Sequence, residues 1–168
     1  MHLSWPHHGP PIPLPYGRRR DPSPGGYIVK GTVVVVGPTD DVAAPAAVVQ
    51  RYLDEILDKG DLALLELLIS SEALRARVRT FRRAFPDLRI ATELLIAQGD
   101  LVAVHLQARG THQAIFQGVP ATGRTWTAGC TAIYRVEHGR ISDFRVNWDL
   151  LGILEQVGGI TRGATASA

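Results

Sequence analysis

The sequence predicts an α+β domain in which three helices and a short C-terminal helix cover one face of a curved, mainly antiparallel sheet. Two observations predict it. Apolar residues recur every three or four positions before Pro86 and every second position after it. The second half also divides into four runs, separated by Gln98-Gly99-Asp100, a Gly/Pro-rich stretch and His138-Gly139, the close spacing of an antiparallel meander. A chain of 168 residues fits one such domain.

Taken in order, residues 27–36 (YIVKGTVVVV) are β-branched, lie between Gly25-Gly26 and Gly37-Pro38, and read as a strand. Over 42–58 the positions Val42, Ala46, Val49, Tyr52 or Leu53, and Ile56 mark a helix that Asp40 or Asp41 can cap and Gly60 stops. Asp61 can cap a second, short helix, LALLELLI, which is apolar nearly all round and is expected to be buried. Ser71 can cap a third, with Leu74, Val78, Phe81 and Phe85 on one face and Arg75, Arg79, Arg82 and Arg83 mostly off it; Pro86 ends it. The strands are expected at 88–97, 101–111, 125–136 and 140–148, and Asp149 stands as N-cap to a last helix, LLGILEQV, ended by Gly158-Gly159.

Alternate side chains of a strand share a face. The rows Val102, Val104, Leu106, Ala108, then Trp126, Ala128, Cys130, Ala132, Tyr134, then Ser142, Phe144, Val146, Trp148 are largely apolar and should face the core and any pocket. The opposite rows carry His105, Gln107 and Arg109, Thr125, Thr127, Thr131 and Arg135, and Asp143, Arg145 and Asn147, and should face solvent or a partner subunit.

Composition narrows the function. The sequence pI of 9.0 points to nucleic acid until the charge is located: Arg18, Arg19 and Arg20 against Asp21 give residues 1–26 the whole formal charge of +2, so the rest sums to zero and no nucleic-acid partner is expected. Cys130 is the single cysteine, which excludes an internal disulfide or a cysteine-rich metal site and fits a reducing, cytoplasmic setting. No apolar run is long enough to span a bilayer. Residues 1–26 hold seven of the eleven prolines and are expected to be a disordered leader, with 27–160 as the single domain and 161–168 as a disordered tail.

The strings AFPDLRIATELLIAQGD, ARGTHQAIFQGVPATGR, IYRVEHGRI and NWDLLGILEQVGG, in this order and spacing, resemble the SnoaL-like polyketide cyclase or ester cyclase family, part of the cone-shaped superfamily that includes nuclear transport factor. The resemblance spans about residues 48–159. It implies a cone-shaped α+β barrel with a hydrophobic pocket between the helices and the concave face of the sheet. It also implies intramolecular aldol closure of an aromatic polyketide by an aspartate acting as acid and base, with no cofactor or metal. Aligned on these strings, the family's catalytic aspartate falls at Val146, its pocket histidine at Ala132, its pocket glutamine at Cys130 and its helix-borne tyrosine at Leu57, and none of the four matches. A strand and polar loop that the family usually inserts between Ile69 and Ser71 are missing.

Two candidates for proton transfer remain. His112, in GTHQA, is expected near the rim at a strand end and reads either as an acid–base group or as a solvated or backbone-bonded turn histidine. Asp149, expected near the pocket mouth, reads either as its partner or as a helix cap. The inward rows make Trp126, Cys130, Ala132, Tyr134, Phe144, Val146 and Trp148 the candidate substrate-binding residues. Trp126 and Trp148 can stack on a flat ligand or serve as core aromatics, Tyr134 can donate a hydrogen bond, and Cys130, with no evident base, reads as a small buried hydrophobe.

The function expected on these grounds is a cyclase or isomerase acting on a polycyclic or aromatic small molecule by cofactor-independent acid–base chemistry. The alternative is a non-catalytic binding or scaffold protein that lost the aspartate and histidine. A homodimer through the convex face is expected, and the strand at 27–36 is expected to fill the sheet edge vacated by the missing insertion, in the same chain or by swapping.

Overall fold

The computed structural model describes residues 32–35 and 39–160, with side chains from 44 to 160; the leader and tail expected from the sequence lie outside the described residues. The elements are β1 (Thr32–Val35), α1 (Thr39–Arg51) continuing as a π-helical segment (Tyr52–Asp58), a 3-10 turn (Leu62–Leu64) running into α2 (Leu65–Leu68), α3 (Glu72–Ala84), β2 (Arg89–Gln98), β3 (Leu101–Thr111), β4 (Thr125–Glu137), β5 (Arg140–Trp148) and α4 (Leu150–Gln156). The sheet order is β1-β2-β3-β4-β5, with β1 parallel to β2 and every other pair antiparallel.

The period-two rows fall on the faces expected of them. Along β3, Val102, Val104, Leu106 and Ala108 are buried; along β4, Trp126, Ala128, Cys130, Ala132 and Tyr134 are buried; the alternate residues of both strands are exposed or half-buried. In β2 a bulge between Thr92 and Leu94 resets the parity. Ile90 and Leu95, an odd number apart, consequently both reach the core.

The helix expected over 42–58 starts at Thr39, so Asp40 and Asp41 fall inside its first turn instead of ahead of it. Its second part is π-helical, with wide backbone bonds from Lys59 N–H to Asp54 and from Asp61 N–H to Glu55. The added residue per turn lets the adjacent pairs Tyr52, Leu53 and Ile56, Leu57 all turn inward. Gly60 then reverses the chain at φ +82°, and a Cβ there would collide with the Arg82 guanidinium. That guanidinium donates to the carbonyls of Leu57, Leu88 and Pro86 at 3.2, 3.1 and 2.7 Å, tying the end of the π-helical segment to the turn before β2.

The segment LALLELLI is not buried all round. Leu65, Leu68 and Ile69 enter the core, whereas Leu62 and Leu67 are 40% and 54% exposed, because only one side of this short helix has a layer to pack against.

The position of β1 corrects a second expectation. Ile69 bridges Ile141, and the Ser70 N–H donates to the Ile141 carbonyl at 2.9 Å, so a segment inserted between Ile69 and Ser71 would lie at the β5 edge. Instead, β1 pairs with β2 at the opposite edge, in the same chain, from Thr32↔Leu94 to Val35↔Ala97.

Beyond Trp148, which pairs with Cys130, β5 leaves the edge of β4 open. Gln156 closes it from α4: its amide accepts from the Thr127 N–H at 3.0 Å and donates to the Thr127 carbonyl at 2.9 Å. The start of α4 is capped by Asp149, whose carboxylate accepts from the Gly152 N–H at 2.9 Å. Ser71 caps α3 by accepting from the Leu74 N–H. Asp149→Ala removes the α4 cap and is expected to cost about 1 kcal/mol in urea unfolding; a change below about 0.3 kcal/mol would show that the cap contributes nothing and that Gln156 alone docks the helix.

Candidate functional site

Helix α3 presents Leu74, Val78 and Phe81 to the sheet at helical spacing, and Arg77 lies between them on the same side, three residues after Leu74 and four before Phe81. Two connected cavities open beside this face. The outer is a cleft of about 550 Å³ between α3 (Ala76, Arg77, Thr80, Phe81), the β3–β4 loop (Ile115, Phe116, Gln117) and the end of β5 (Val146, Asn147, Trp148, then Leu150). The inner, about 30 Å³, leads between Tyr52, Leu57, Leu74, Val78, Leu106, Cys130 and Tyr134. Arg77, Phe81, Val146 and Trp148 line both and form the neck. Space for a drug-sized ligand therefore lies in the cleft, while the inner pocket holds little more than a water or two.

Three aromatic rings, Phe81, Phe116 and Trp148, stand in the walls of the cleft beside the polar Thr80, Gln117 and Asn147. Phe81 stacks on Trp148 with ring centroids 5.0 Å apart and meets Phe116 edge-on at 5.8 Å. Behind them Phe85 and Trp126 pack edge to face at 4.9 Å. Ile115, 70% exposed, stands at the rim.

Inward of Arg77, the polar groups lining the inner pocket are a thiol and two phenols. Burial pushes the Cys130 thiol up to about 12, with the Arg77 charge pulling weakly the other way. Burial also raises the Tyr52 and Tyr134 phenols above their usual range; a hydrogen bond between the two hydroxyls favours ionisation of Tyr52 at the expense of Tyr134. The tyrosine rings meet edge-on at 5.5 Å. Neither cavity is lined by a carboxylate or an imidazole. Among the described residues no group of three or more His, Cys, Asp and Glu side chains comes together to hold a metal ion, and no helix is long and apolar enough to cross a membrane.

Of the residues expected to bind substrate, Cys130, Tyr134, Val146 and Trp148 line the inner pocket, and Val146 and Trp148 also line the cleft. Trp126 and Ala132 are buried and line neither; Phe144 is half-buried and lines neither. His112 is not at the rim: it is 0% exposed, packed against the Phe85 ring at 5.9 Å, with Nδ1 3.1 Å from Thr122 Oγ1 and Nε2 without a partner among the described residues. The loop after β3 folds over it, because the Gln113 N–H donates to the Ala84 carbonyl, the His112 N–H donates to the Arg124 carbonyl and the His112 carbonyl accepts from the Gly123 N–H. Asp149 is exposed and its carboxylate caps α4, though its neighbours Trp148 and Leu150 line the cleft. Sequence reasoning passed over Arg77 and the pocket role of Tyr52. The signal for Arg77 was its place on the apolar face of α3.

Residues 41–157 match the model of the SnoaL-like polyketide cyclase family. The chain is 32% identical over 123 residues to the aklanonic acid methyl ester cyclase DauD of Streptomyces sp. strain C5, covering 73% of each chain. It is 32% identical over 124 residues to the aklanonic acid methyl ester cyclase DnrD of Streptomyces peucetius, covering 73% of this chain and 81% of that one. Among solved structures, IdmH of Streptomyces antibioticus aligns with a TM-score of 0.57 and 28% identity over 68% of this chain and 98% of its own. The chain belongs to the SnoaL-like polyketide cyclase family, and its curved sheet with helices on the concave side is the cone-shaped α+β fold of that family.

The raised thiol of Cys130 makes its own prediction. With a pKa of about 12, roughly one thiol in ten thousand is ionised at pH 8, so Cys130 is expected to react with a disulfide reagent at least about 100-fold more slowly in the native protein than in guanidinium chloride. Comparable rates in the two states would mean that the inner pocket stands open to solvent.

Proposed function

We propose that this chain binds a flat, aromatic or polycyclic polyketide-like molecule in the cleft beside α3 without supplying the acid–base pair of an aldol cyclase. The observation that carries this reading is the lining. Aromatic rings in the walls suit a flat ligand, while closure of a ring needs a group to take an α-proton, and neither cavity presents a carboxylate or imidazole to do so. No cofactor is called for by a binding role.

A second reading, a cofactor-independent cyclase or isomerase, is favoured by the identity to two aklanonic acid methyl ester cyclases and by the unpartnered Nε2 of His112. In that reading His112 and Asp149 are the candidate acid–base groups, reached when the loop over His112 opens.

One experiment separates them. Purified protein is titrated with aklanonic acid methyl ester while tryptophan fluorescence is followed, and the recovered ligand is then analysed by chromatography and mass. The binding reading expects saturable quenching and unchanged ligand. A ring-closed product overturns it in favour of the cyclase, and His112→Ala and Asp149→Asn then identify the groups by loss of turnover.

In the same reading the chain is a homodimer through the convex face, where Leu101 and Ile133 are exposed among Thr125, Thr131 and the paired Asp143 and Arg145. Sedimentation at micromolar concentration is expected to give a dimer; a monomer refutes that assembly.

A further inference from the structure

Five arginines lie along α3, and their surroundings set one apart. Arg75 and Arg79 are engaged by Glu66 and Glu72. Arg82 is spent on three backbone carbonyls, and Arg83 is exposed and lines neither cavity. Arg77 lies at the neck shared by the cleft and the inner pocket. Its neighbours one turn away, Ala73, Leu74, Thr80 and Phe81, include no carboxylate, and it makes no hydrogen bond or ion pair among the described residues.

An unpaired guanidinium beside Phe81, Val146 and Trp148 is a directed feature. Arg77 is itself exposed, open to a ligand entering the cleft, and the apolar side chains on one side of it strengthen its attraction for an anion over that of an arginine surrounded by water. Its fork of N–H donors matches the two oxygens of a carboxylate. The Arg77 charge already favours the ionised forms of Tyr52, Cys130 and Tyr134 deeper in the pocket.

We propose that Arg77 is the specificity-determining residue of the cleft, selecting aromatic ligands that carry an anionic oxygen group, a carboxylate above all, over neutral ligands of the same shape. This rests on the reading of the cleft as an aromatic-ligand site. Arg77 positions and selects the ligand.

The test uses two probes of one shape, anthraquinone-2-carboxylate and its neutral methyl ester, titrated into the full chain at low salt with tryptophan quenching as readout. Wild-type protein is expected to bind the carboxylate at least about tenfold more tightly than the ester, a preference that shrinks as salt is added. Arg77→Gln is expected to abolish the preference while leaving the ester's affinity within about twofold, Arg77→Lys to keep part of it, and Arg79→Gln, on the same helix but paired with Glu66 and Glu72, to keep it whole. Unchanged melting temperature in Arg77→Gln checks that the fold is intact. Wild-type protein that binds neither probe overturns the reading of the cleft itself. Equal binding of the two probes by wild type, or a preference that survives in Arg77→Gln or vanishes equally in Arg79→Gln, overturns the role of Arg77 alone.

Discussion

The placement of α3 on the sheet depends on one ring. Phe81 is in contact with Phe85, Phe116, Trp126 and Trp148 at centroid distances from 4.9 to 6.0 Å, so a single side chain joins the helix, the loop after β3 and the ends of β4 and β5. Each aromatic pair contributes about 0.5–1.5 kcal/mol beyond the area it buries. The geometric effect is larger than the energetic one. With Phe81 stacked on Trp148, α3 cannot close onto β5, and the gap that remains is the cleft. Phe116, itself pinned by Phe85 at 4.8 Å, holds the loop as the opposite wall.

The same constraint separates two chemical environments. Inward of Phe81, the side chains of the π-helical segment fill the concave face almost to closure, and what polar atoms remain there are a thiol and two phenols that burial keeps protonated. Outward of it, the cleft is aromatic and faces water. The short connection from α2 to α3 acts in the same direction: it runs along β5 through the Ile69–Ile141 bridge and the Ser70 N–H bond to the Ile141 carbonyl, and no residue of that connection lines either cavity. The fold of the family is thus built here around cavities lined by Cys130, Tyr134, Val146 and Trp148, with neither carboxylate nor imidazole among the lining residues.

Much of this was legible in the residues because period two is hard to mistake: β3 and β5 begin and end where the alternation does, and the caps Ser71 and Asp149 carry the hydrogen bonds that their residue types favour. Illegible were features set by tertiary neighbours. Nothing local in GTHQA says that a loop will fold back and bury His112 against Phe85. Nothing in ATELLIA marks the bulge at Glu93, because leucines on both sides suit either face. LALLELLI looked wholly internal because composition does not report that only one of its sides meets a layer. Arg77 escaped for a different reason: on an arginine-rich helix, solvation is the ordinary fate of each cation, and among the described residues Arg77 is set apart from Arg83, which also lacks a partner, by its place on the cavity side of the helix.

The bulge in β2 also has a bearing on self-association. An exposed strand edge is a template on which other chains can nucleate, and the bulge divides this one into two short lengths with different guards. The half after it, Leu94 to Ala97, is covered by β1. In the half before it, the Ile90 N–H is taken at 2.8 Å by the carboxylate of Asp58, at the end of the π-helical segment, with the Arg89 guanidinium 3.4 Å from the same side chain. A chain that lost β1 would therefore uncover about four residues of flat edge, beside a kink and a charged pair, which is a poor seed for a growing sheet.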